Sequence, residues 1–71
     1  MELNLITVVV NGEPKEVAPN QSVIALLHSL DVTVDRVAIE LNHSIVRKRD
    51  WEQTEVQNGS QIEIVEFVGG G

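Results

Sequence analysis

The sequence has no cysteine, only two histidines, only five lysines and arginines, and no long apolar run. Without cysteine, disulfide staples and thiolate metal sites are excluded. His28 and His43 are too few to define a zinc site, so no metal is expected. Eleven acids outnumber the bases, and the net charge of −6 disfavours nucleic acid, whose phosphates attract basic surfaces. The same balance favours solubility and a basic protein partner. No stretch approaches the roughly 20 apolar residues of a membrane span. The opening MELNLITVVVNGE lacks the basic region and long apolar core of a signal peptide. The expectation is a soluble cytoplasmic protein that engages neither nucleic acid nor membrane.

What remains is a 71-residue chain, enough for one small domain. A chain of this size buries only about 60% of its unfolded surface, so its core is thin and must come from Val, Ile and Leu. Residues 3–10 are mostly apolar or β-branched and are followed at once by Asn11 and Gly12. Asn-Gly between strand-like runs predicts a tight hairpin, because a type I′ turn needs positive φ at both central residues. The return strand is expected over 15–17, broken by Pro19 and Asn20.

Val23, Leu26, Leu27 and Leu30 then recur at i, i+3, i+4 and i+7, one stripe of an α-helix, with Ser22 placed to cap it and an end near Leu30 and Asp31. A helix this short is not stable alone and must lie on a sheet. In RVAIELN, Val37, Ile39 and Leu41 alternate with Ala38 and Glu40, as in a half-buried strand. Asn42 and His43 read as a turn, Ile45 and Val46 as a stub of strand. RKRDWEQTEV reads as an irregular segment with a helical turn. Asn58 and Gly59 turn the chain into a last strand, QIEIVEF. Hairpin, helix, strand, short strand and strand in this order predict an α+β roll, a mixed sheet with one main helix packed on one face. If the last strand lies centrally beside the first, the arrangement is the β-grasp of ubiquitin-like proteins. Residues 1–67 are then the β-grasp domain and 68–71 a flexible glycine tail.

The stretch 36–71 resembles the ThiS family, the sulfur carriers of thiamine biosynthesis. Val37, Ala38, Glu40, Asn42, Ile45, Val46, Trp51, Thr54, Gly59, Ile62 and the closing glycines fit its pattern. The VNGEPKEV hairpin and SVIALLHSL helix fit its first half. Two positions depart: the family's proline is replaced near Arg47, and its aspartate after the turn glycine is Ser60. The first strand also reads several residues longer than usual. The resemblance implies a carrier rather than an enzyme, with no catalytic residues and no bound cofactor. An E1-like adenylyltransferase of the ThiF type would use ATP to activate the carboxylate of Gly71. A sulfur-donor protein would supply a persulfide sulfur to make the thiocarboxylate. A thiazole synthase of the ThiG type would take that sulfur.

The residues themselves suit this chemistry. A C-terminal carboxylate is ionised at neutral pH and can attack the α-phosphate of ATP. Gly69, Gly70 and Gly71 carry no Cβ, so a narrow channel can grip their backbone closely. A terminal segment not tied to the sheet is mobile and can reach into another protein. By alternation, Ile62 and Ile64 face the helix with Val8 and Val10, and Glu63, Val65 and Phe67 face away. Val65, Phe67 and Val68, beside the tail, are therefore expected as an apolar docking patch, against the plainer reading of scattered exposed apolar residues. Trp51 reads as a plug at one end of the core. Arg47, Lys48 and Arg49 read as a solvated turn. Glu40, Glu63 and Glu66 read either as solvated strand faces or as acids that steer a basic groove. His28 is expected on the helix surface and His43 in a turn. Three rival functions share the pattern: a carrier for molybdopterin or another pathway, a ubiquitin-like protein modifier, and a plain interaction domain with inert glycines.

Overall fold

The computed structural model describes residues 4–67. Leu3, the expected start of the first strand, and the tail residues Val68, Gly69, Gly70 and Gly71 lie outside them. The chain forms β1 (Ile6–Val10), β2 (Glu13–Val17), α1 (Val23–Ser29), a 3₁₀ turn (Val34–Arg36), β3 (Val37–Leu41), β4 (Ser44–Val46), a second 3₁₀ turn (Lys48–Asp50) and β5 (Gln61–Glu66). The sheet order is β2-β1-β5-β3-β4. The last strand thus lies centrally, parallel to β1 and antiparallel to β3, in the β-grasp arrangement.

Local chemistry accounts for the elements. Asn11 and Gly12 both take positive φ, 50° and 84°, as a type I′ hairpin demands. The turn is tight, so β2 begins at Glu13, two residues before the expected start. Ser22 caps α1, its hydroxyl accepting the Ala25 N–H at 3.2 Å. At the other end the Asp31 N–H donates to His28 and the Val32 N–H to Leu27, with Asp31 at φ 63°. That is a Schellman closure, with aspartate where glycine is commonest. Asn42 and His43 repeat the positive-φ pair, at 51° and 72°, between β3 and β4.

The core lies between α1 and one face of the sheet. Val8 and Val10 of β1, Val23, Leu26 and Leu27 of α1, Ile39 of β3 and Ile62 of β5 are buried together, with Val37, Leu41 and Ile64 packed against them. Trp51 closes one end, at 2% exposure. Its indole N–H donates to the Val46 carbonyl at 2.9 Å. The segment around it also caps the helix. The Val23 and Ile24 N–H groups, free at a helix start, donate to the Thr54 and Trp51 carbonyls at 2.8 and 3.2 Å. Val56, buried at 1%, completes this strap and was not apparent from the sequence pattern.

Both departures from the family pattern sit where the family's residue would also fit. Arg47 has φ −67° and ψ 146°, an angle that proline also adopts. Ser60 is buried, and its hydroxyl accepts the Gln57 N–H at 2.9 Å, a bond that an aspartate oxygen could equally accept. Because Ile39 and Val46 are cross-strand partners next to the β4 end, the Arg47 N–H lies past the ladder. Arg47→Pro is therefore expected to stabilise the protein by about 0.4–1 kcal/mol, chiefly by restricting the unfolded chain. Urea unfolding checks this. A loss of stability would mean that the Arg47 N–H is needed.

Candidate functional site

β5 leads to the tail, and its support thins along its length. β1 flanks it only at Gln61 and Ile62, whereas β3 pairs with it from Ile62 through Glu66. Where β1 turns away, the Asn11 side chain stands in for the strand. Its amide oxygen accepts the Ile64 N–H at 2.7 Å, while its backbone N–H donates to the Ile62 carbonyl at 2.9 Å. Farther on, support comes from the β3 side, where the Phe67 N–H donates to the Arg36 carbonyl at 2.7 Å. Two other turn asparagines act similarly. Asn42 exchanges bonds with Gln61 at 2.7 and 2.9 Å, and the Asn58 amide oxygen accepts the Thr7 N–H at 2.9 Å. The turns at these asparagines were visible in the sequence. The clamps were not, because Asn11 and Ile64 are 53 residues apart.

Asn11→Gly keeps the positive φ and removes only the clamp, so it is expected to destabilise by about 0.5–1.5 kcal/mol. Asn11→Ala adds left-handed strain of about 1–2 kcal/mol. Chemical denaturation measures both, and amide exchange at Ile64 should accelerate in each. Unchanged exchange there would show that the clamp does not hold the strand.

The end of β5, at Glu66 and Phe67, is bordered by two unlike surfaces. On the face away from α1, Val65 is 52% and Phe67 57% exposed, so both expected docking residues lie at the surface. Val68, the third, is outside the described residues. Ala38 is the cross-strand partner of Val65, and Ile45 is more exposed still, at 74%. Ile45 was missed as a site residue, although the inward position of its neighbour Val46 turns it outward. On the other face a cleft of about 450 Å³ opens between the helix end and β5, lined by Val10, Leu30, Val32 and Ile64, with Lys15 and Glu66. Glu66 therefore belongs to this cleft. Only Glu40 and Glu63 remain together on the open face, so the three acids do not form one steering patch.

The other singled-out residues are peripheral. Arg47, Lys48 and Arg49 are exposed around the second 3₁₀ turn, with the Lys48 ammonium 5.9 Å from the Trp51 ring centroid. His28 and His43 are exposed, as expected. Among the described residues no group of three or more potential metal ligands gathers, and no helix is long and apolar enough to cross a membrane.

The sequence profile of the ThiS family matches residues 8–71. The chain belongs to the ThiS family. It is 34% identical over 61 residues to the sulfur carrier protein ThiS of Escherichia coli K12, covering 86% of this chain and 92% of that protein. It is 43% identical over 63 residues to a thiazole synthase of Paramagnetospirillum magneticum, with 89% of this chain covered. In that case it spans only 19% of the relative's length. The crystal structure of the thiamine biosynthesis protein ThiS from Geobacter metallireducens superposes with a TM-score of 0.83 at 33% identity, covering 93% of this chain and all of that one. The β-grasp fold read from the strand order is the fold of this family.

Proposed function

We propose that the chain is a sulfur carrier in thiamine biosynthesis, a protein co-substrate rather than an enzyme. The observation that carries this reading is the family match, which runs through the glycines to residue 71. The fold supports it: the buried residues form a knob around α1, and β5, the central strand, is followed in sequence by Phe67, Val68 and the three glycines.

In the proposed chemistry an E1-like enzyme binds ATP, and a Gly71 carboxylate oxygen attacks the α-phosphorus. Pyrophosphate leaves and an acyl-adenylate forms. The outer sulfur of a protein persulfide then attacks the acyl carbon, and AMP departs with the former carboxylate oxygen. A thiol cleaves the resulting acyl disulfide, which frees the thiocarboxylate and leaves a disulfide behind. Thiazole synthase would consume that sulfur. Its name among the relatives supports it as the acceptor. Val65, Phe67 and Val68 would dock these enzymes; the exposure of Val65 and Phe67 on the strand that leads to the reactive group supports this.

Intact mass tests the reading. Incubation with the cognate adenylating enzyme, ATP and a persulfide donor should add the mass difference between one sulfur and one oxygen. Conjugates on lysine would favour a protein modifier, and absence of ATP–pyrophosphate exchange an inert domain.

A further inference from the structure

β5 is an inner strand at its start and an open edge at its end. β1 pairs with it only at Gln61 and Ile62, so beyond Ile62 no strand flanks it on that side. Bonding directions alternate along β5. The Phe67 N–H points toward β3, where the Arg36 carbonyl accepts it, and the Ile64 N–H points the other way, to Asn11. The Ile64 carbonyl and the Glu66 N–H therefore both lie on the open side. Among the described residues neither has a hydrogen-bond partner. The cleft of about 450 Å³ adjoins this edge, with Val10, Leu30, Val32 and Ile64 in its lining. The outer edges of the sheet are blunted by comparison. β2 carries Pro14 among Glu13, Lys15 and Glu16, and β4 has only three residues.

We propose that an extended segment of the adenylating enzyme pairs with β5 at Ile64 and Glu66 and adds a strand to the sheet. The inference rests on the carrier reading and deepens it. An unpaired ladder carbonyl and N–H are matched by another extended backbone. Alternate side chains of such a strand would enter the apolar cleft, and the others would lie beside exposed Val65 and Phe67. Reach decides the occupant. Glu66 precedes Gly71 by five residues, so a segment seated there lies within about 18 Å of the reacting carboxyl, the fully extended span. The enzyme that aligns this carboxylate with ATP must hold the chain over that range. Glycines offer it no side chains, and backbone pairing needs none.

Amide hydrogen exchange on the chain, alone and with the cognate adenylating enzyme but no ATP, reads the pairing. The Glu66 amide should exchange fast in the free chain and about a hundredfold slower in the complex. Glu66→Pro deletes the same donor. That N–H bonds nothing in the described fold, and proline is tolerated where a strand N–H faces outward, so the variant should melt near wild type. Its KM in ATP–pyrophosphate exchange should rise about tenfold with kcat little changed. The rise should exceed that of Glu66→Ala, which loses the carboxylate and keeps the N–H. A Glu66 amide that exchanges equally fast in the complex would overturn the inference and leave the carrier reading standing. Equal KM in the proline and alanine variants would do the same, by assigning the effect to the carboxylate. Protection that appears only with thiazole synthase, or that grows with the concentration of the chain itself, would give the edge to those occupants and overturn the inference too. No pyrophosphate exchange by wild type would overturn the carrier reading, and the inference with it.

Discussion

A chain lacking Gly70 and Gly71 is expected to melt at the temperature of the full chain and to give no detectable ATP–pyrophosphate exchange. The first half follows from where the core is. Its buried residues run from Val8 to Ile62, and Ile64 is the last residue packed against them. The second half follows from reach. Removing two residues withdraws the carboxylate by about 7 Å at full extension. A misplacement of about 1 Å can already cost roughly 10²-fold in rate, so a retreat of this size abolishes in-line attack on the α-phosphorus. Saturating adenylating enzyme should not rescue the reaction, because in the proposed chemistry the loss is one of reach and not of docking. Calorimetry and exchange on the same sample decide the matter. A truncated chain that unfolds would show that the glycines belong to the folded domain. One that is still activated would remove the terminal carboxylate as the reacting group.

What could be read in the sequence was what local chemistry fixes. Asn11 with Gly12 and Asn42 with His43 announce turns because their backbones must adopt positive φ. The spacing of Val23, Leu26 and Leu27 announces a buried helical stripe, and alternation alone places Val65 and Phe67 on the outer face. The less legible features depend on distant partners. Asn11 clamps Ile64, Asn58 clamps Thr7, and Glu40 confronts Glu63, all across gaps that no local period encodes. Charge alone groups Glu66 with Glu63, yet strand positions three apart point to opposite faces, and Glu66 lines the cleft instead. No local period marks Val56, because the strap holding it is neither α-helix nor strand. It is buried because the Gln21 carbonyl accepts its N–H at 2.9 Å and draws the strap beneath the helix start.

The strap also carries the largest expected loss of stability. Trp51 is the only tryptophan, is 2% exposed, and ties three parts of the fold together. Its ring fills the end of the core, its indole N–H bonds the Val46 carbonyl at the end of β4, and its own carbonyl receives the Ile24 N–H of α1. Truncation of a buried tryptophan to alanine costs about 3–5 kcal/mol. A domain of this length has on the order of 5 kcal/mol in total, so Trp51→Ala should leave a large unfolded population at physiological temperature. Trp51→Phe separates the two contributions. It retains most of the apolar contact and loses only the indole bond to the Val46 carbonyl, at about 0.5–1.5 kcal/mol. Far-UV circular dichroism in urea measures both variants, since tryptophan fluorescence disappears with the residue. If Trp51→Ala lost less than about 1 kcal/mol, the strap would be dispensable. The helix start would then be held by the sheet alone.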